Sequence, residues 1–141
     1  MVPGILAQLR AHQADVLDAL ADMQARLAAE SLDTLGIADA RREFTRQLTR
    51  YQIFKHRLIF EPLTGHGCVH QGAAVREMKI GCIVMSHTFR AYMARWNMSA
   101  IEGRAADYRR EARGMVAMIE RHLRSDRHEI DAMLALEKHA A

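Results

Sequence analysis

The sequence predicts an all-α fold, one antiparallel up-down-up-down four-helix bundle over residues 1–141. Three observations predict it. Half of the residues are hydrophobic, mostly Ala, Leu, Ile and Met, a composition that favours helix. Only two prolines occur, Pro3 and Pro62, both at element boundaries. Apolar residues recur every three or four positions along four long stretches joined by short links.

The first helix is expected from Pro3, which suits a first-turn position, to Glu30. Ile5, Leu9, His12, Val16, Leu20, Met23 and Leu27 form its stripe. Residues 31–39 read as a connection, with Gly36 as the breaker and Asp39 as an N-cap. The second helix is expected over 40–60, with Phe44, Leu48, Tyr51 and Leu58 inward, ended by Pro62 and a Gly-rich stretch. The third covers 73–97. Val75, Met78, Cys82, Met85, Phe89 and Trp96 make its core stripe, and Ile80, Ile83, Val84 and Ala91 a second apolar strip. Residues 99–103 connect to a fourth helix over 104–138, with Tyr108, Ala112, Met115, Ile119, His122, Asp126 and Met133 along one face.

Charge narrows the function classes. Twenty basic and 17 acidic residues leave a net charge of +3, with the signs interspersed. A nucleic-acid binder carries a concentrated basic stripe, so clusters such as Arg109–Arg110 and Lys55–Arg57 read as solvated surface. No apolar run approaches the roughly 20 residues that span a bilayer, and no secretory leader pattern opens the chain. Cys68 and Cys82 do not make a disulfide framework. The expectation is a reduced, cytoplasmic protein with no membrane or nucleic-acid partner.

Histidine is the unusual feature of the composition. The segment "TGHGCVHQG" at 64–72 places His66, Cys68 and His70 on alternate positions. Extended, it would offer three ligands on one side, but a closed structural site needs a fourth. An inter-helix loop is the simpler reading. Helical histidines are better placed, because bundle cores hold metals on inward His and carboxylates. His12, Glu61, His122 and Asp126 face inward on the expected helices. His122 and Asp126, four residues apart, share a face. His56 and His87 fall off the main stripes, and their orientation stays open.

These residues carry a resemblance. "LRAHQADVLDAL" with His12, "YQIFKHRLIFEPL" with His56 and Glu61, "VMSHTFRAYMARW" with His87, and "IERHLRSDRHEI" with His122 and Asp126 follow one another along nearly the whole chain. Their order resembles the hemerythrin-like, HHE cation-binding domains. The resemblance implies a four-helix bundle with a non-haem iron site at His12, His56, Glu61, His87, His122 and Asp126. It implies oxygen, nitric oxide or redox sensing, and no enzymatic turnover. Three spacings depart from the family pattern. His56 to Glu61 is five residues instead of four, His122 to Asp126 four instead of five, and His87 has no His partner four residues away. A single-metal or lost site is therefore expected in place of an oxygen-binding di-iron centre.

Two other functions compete. A metal-free regulatory bundle would act through protein contacts, as a homodimer or with a signalling partner, using the second strip on the third helix. Histidine phosphotransfer would use His56 between Lys55 and Arg57, although Phe60 stands where that motif wants a small residue. No nucleophile–base pair, phosphate-cradling loop or dinucleotide fingerprint supports an enzyme.

Overall fold

The computed structural model describes residues 4–64 and 69–140, without the side chains of 69–71 and 137–140. The described residues are helical and contain no strand. The elements are α1 (Ile5–Ala28), α2 (Thr34–Lys55), a π-helical turn (His56–Phe60), the short α3 (Glu61–Thr64), α4 (Val69–Arg95), the short α5 (Met98–Gly103) and α6 (Ala105–Ala140). Helix α1 packs along α2 and α6, and α6 packs against α4. No described helix is long and apolar enough to cross a membrane.

Four expectations at element ends are corrected. Helix α2 starts at Thr34, not Ala40, so Gly36 lies inside its first turn. The ends of the Arg26 and Asp33 side chains lie over this glycine, which does not break the helix. Asp33, not Asp39, is the residue before the helix, and Asp39 is paired with Arg42 on the surface. Helix α4 starts at Val69, so the Gly-rich reading of 69–72 as loop does not hold. His66 and Cys68 lie outside the described residues, as does the side chain of His70. The expected connection at 99–103 is the helix α5, whose N-cap Asn97 accepts a hydrogen bond from the Ala100 backbone N–H at 2.8 Å.

The π-turn is the local feature that most affects the interior. Glu61 N–H bonds His56 O, five residues back. Pro62 explains it: in a continuous α-helix the ring would meet the carbonyl of Leu58. Widening the helix ahead of the proline relieves that clash and shifts the inward face. Ile59, Phe60 and Leu63 are therefore buried, while Leu58, expected inward, is half-buried.

The expected stripes otherwise form most of the core, although Met115 is half-buried and Val116 takes the inward position beside it. Leu9, Val16, Leu20, Met23 and Leu27 are buried on α1, and Val75, Met78, Cys82, Met85, Phe89 and Trp96 on α4. At one level Trp96, Tyr92 and Tyr108 pack together, and the two tyrosine hydroxyls hydrogen-bond at 2.7 Å. The second strip of α4 stays uncovered: Ile80, Ile83 and Val84 are 56, 56 and 59 % exposed.

Two arginines close helix ends from neighbouring elements. A helix leaves its last carbonyls without partners. Arg41, buried on α2, donates to Trp96 O at 2.5 Å and Met93 O at 3.2 Å, at the end of α4. Arg109 on α6 donates to Leu27 O at 2.5 Å, Ala29 O at 2.6 Å and Glu30 O at 3.1 Å, at the end of α1. Cations there also complement the helix dipole.

Candidate functional site

One buried polar cluster draws on α1, α2, α4 and α6 together. Its centre is Lys55, whose side chain is fully buried. The side chain lies on the inward line of α2, four residues after Tyr51 and seven after Leu48. Its Nζ donates to Asp126 Oδ2 at 2.5 Å and Cys82 Sγ at 3.1 Å, and lies 3.2 Å from His122 Nε2. An ammonium has three N–H donors, and three acceptors surround this one. The Tyr51 ring covers another side, its centroid 4.5 Å from Nζ, in a cation–π contact.

The second layer fixes the acceptors. Tyr51 donates its hydroxyl proton to Asp126 Oδ2 at 2.6 Å. Gln13, buried on α1, donates to Tyr51 Oη and to Leu123 O, each at 3.0 Å. Burial and the carboxylate neighbour push the Tyr51 hydroxyl far above its ordinary pKa, so it stays a donor. Burial and the Lys55 ammonium push His122 below its usual value. The ring is therefore neutral at pH 7. With Nε2 accepting from Lys55, its proton belongs on Nδ1. Burial pushes the Cys82 thiol up, against the pull of Lys55, so the sulfur is a thiol acceptor and not a reactive thiolate.

Cys82, His122 and Asp126 present Sγ, a ring nitrogen and a carboxylate oxygen within 4.8 Å of one another. Among the described residues this is the one His/Cys/Asp/Glu group that could hold a metal ion. His122 Nε2 is 3.2 Å from Asp126 Oδ2 and 3.8 Å from Cys82 Sγ. A surface cleft of about 410 Å³ between α4 and α6 reaches His122 and Asp126, with Glu77 and Glu129 along it.

The other residues expected at a metal site stand apart from this group. His12 is half-buried, stacked on Phe54 at 4.5 Å, because its neighbour Gln13 takes the inward position of α1. His56 opens the π-turn, with its ring edge-on to Phe60 at 5.1 Å, and lines a groove between α2 and α4. Glu61 is exposed along the same groove, since the π-turn rotates it away from the core. His87 is exposed on the outer face of α4. Of the six, only His122 and Asp126 join the Lys55 cluster, while His56 and Glu61 share the groove.

Three members of the cluster escaped the sequence reading. Lys55 fits the helical period of Phe44, Leu48 and Tyr51, but its charge hid it among surface residues. Gln13 lay one position from the favoured His12. Cys82 was placed inward as an apolar residue, not as a donor. Comparison of the chain with protein-family models, with curated proteins and with solved structures gave no match.

Proposed function

We propose that the chain is a non-enzymatic regulatory bundle. Its four long helices, α1, α2, α4 and α6, run alternately up and down on a hemerythrin-like scaffold. A side-chain cation takes the position where that family holds a metal. One observation carries the reading: Lys55 Nζ lies 2.5, 3.1 and 3.2 Å from the three candidate ligand atoms. Asp126 already has a cation, and His122 already has a donor. An iron pair wants several imidazoles and carboxylates on one centre. Two of the expected six residues converge here, beside a thiol and an ammonium, so the residues present do not fit an iron pair.

Among the described residues Cys82 and His122 approach as a thiol and an imidazole at 3.8 Å, and their protonation states support a role without turnover. The thiol is held protonated and the imidazole serves as an acceptor for lysine. The exposed Ile80, Ile83 and Val84 strip supports a protein-contact role, with a second copy as the expected partner.

A second reading rests on the spacing of the donors. Sγ, a ring nitrogen and a carboxylate oxygen within 4.8 Å could take one metal if Lys55 moved aside. A thiolate with imidazole and carboxylate favours zinc over iron. The cleft past Glu77 and Glu129 would be its route.

Metal analysis separates the readings. Wild-type protein and Lys55→Met are purified from cells supplemented with iron and zinc, and both are titrated with Zn²⁺ against a chromophoric chelator. The proposal expects far less than one metal per wild-type chain. It expects zinc uptake only in Lys55→Met, lost again on adding Cys82→Ser. One zinc per wild-type chain would establish the second reading. One or two irons with near-ultraviolet charge-transfer absorption would restore the hemerythrin-like sensor.

A further inference from the structure

A groove of about 710 Å³ separates α2 from α4, on the opposite side of Gln52 from the Lys55 cluster. The helices meet beneath it through side chains, Phe44 against Phe89 and Lys55 against Cys82. These pairs also set its direction. Arg90 stands at the end nearer Thr45, while Arg57 and Glu61 stand at the π-turn end. Leu48, Ile53, Phe89 and Met93 supply apolar surface between the two ends. The volume lies within the roughly 300–1,000 Å³ of single-ligand pockets.

Three features suit a ligand with an apolar body and an anionic head. Arg57 and Arg90 make no hydrogen bond or ion pair among the described residues. Glu61 is the one carboxylate of the lining, and it stands at the end away from Arg90. Gln52 lines the groove with both amide atoms covered and neither of them in a well-formed hydrogen bond; its polar contact inward is with the Cys82 thiol, whose pKa it pulls down. It is a buried polar group with bonding capacity left, beside the apolar Leu48, Ile53, Phe89 and Met93. The π-turn edges the same groove, and π-turns recur at binding sites.

The geometry points to a site for an extended amphipathic carboxylate of the fatty-acid class. Its aliphatic body lies along Leu48, Ile53, Phe89 and Met93, and its head is held by Arg90, away from Glu61. The head goes to Arg90 because Glu61 would repel an anion at the π-turn end. Arginine offers two parallel N–H donors that match a carboxylate. This inference goes beyond the Lys55 reading, and metal uptake tests that reading separately.

The test is a fluorescence titration of the intact protein with 11-(dansylamino)undecanoic acid and with its methyl ester. The acid is expected to saturate one site per chain and to bind about tenfold or more tighter than the ester. Arg90→Ala is expected to remove that advantage and leave ester binding unchanged, with Arg57→Ala near wild type. Both arginines lie on the surface, so both variants fold. Ser86→Trp, which fills the groove, is expected to abolish binding of both ligands. Non-saturable binding, equal binding of acid and ester, or insensitivity to Ser86→Trp would overturn the site. Loss of the acid's advantage in Arg57→Ala instead would overturn the assignment of its head.

Discussion

Replacing Lys55 by Met removes one charge from the interior and little volume. The ammonium loses its contacts with Asp126, Cys82 and His122, and with the Tyr51 ring. Asp126 keeps the Tyr51 hydroxyl as a donor but has no cation. Breaking a buried ion pair from one side costs about 3–5 kcal/mol, because the remaining charge is uncompensated. That is about a fifth or more of the roughly 5–15 kcal/mol that holds a domain together. Asp126→Asn alone strands the ammonium and should cost a similar amount. The double variant strands neither charge, and the new amide oxygen can still accept from Tyr51. Its cost should fall short of the sum of the singles by about 2 kcal/mol or more. Urea melts of all four proteins at pH 7, compared at constant slope, measure this. If Lys55→Met costs less than about 1 kcal/mol, or the double variant equals the sum of the singles, the ammonium does not sit against Asp126 in solution.

Three further outcomes follow from the same geometry. The pKa values of His122, His12 and His56 are all lowered, first by burial, so the unfolded chain binds protons that the folded chain does not. Stability should therefore fall as pH drops below about 6.5, and His122→Gln should flatten that slope more than His12→Gln, as read from melting temperature between pH 7 and 5. Arg41→Met should cost about 2–3 kcal/mol and speed amide exchange in the last turn of α4, and Arg41→Lys should not restore it, because one ammonium cannot span both carbonyls. Ile83→Asp, on the exposed strip, should leave the melting temperature near wild type while converting a dimer to monomer in sedimentation. A monomeric wild-type chain would remove the dimer from the proposal.

The helices were legible because burial of an amphipathic stripe leaves a period in the sequence. Val75, Met78, Cys82, Met85, Phe89 and Trp96 all became core. Two kinds of information left no such trace. The π-turn depends on how Pro62 is relieved upstream, and an ideal period of 3.6 carries straight through it. It therefore misplaced Leu58 and left His56 undecided. The cluster was hidden by residue type. A rule that places lysine and glutamine outside is right on average, and it fails where partners from two other helices satisfy the charge. His122 and Asp126 were legible as a pair because i and i+4 share a face. Their third neighbour, 67 residues from His122 along the chain, was not.

That neighbour also changes what the pair means. His and Asp one turn apart on an inward face read as half of a metal site when considered alone. With Lys55 between them and Cys82, the same atoms form a closed set, in which every ammonium proton has an acceptor and the carboxylate has a cation. Such a network gives little net stability over an apolar core, yet it penalises any packing that separates its members. Its hydrogen bonds tie α1 to α2 and α6, and α2 to α4 and α6. A slip of one helix by a single residue would strand at least one buried polar group. The cluster therefore specifies the register of all four long helices.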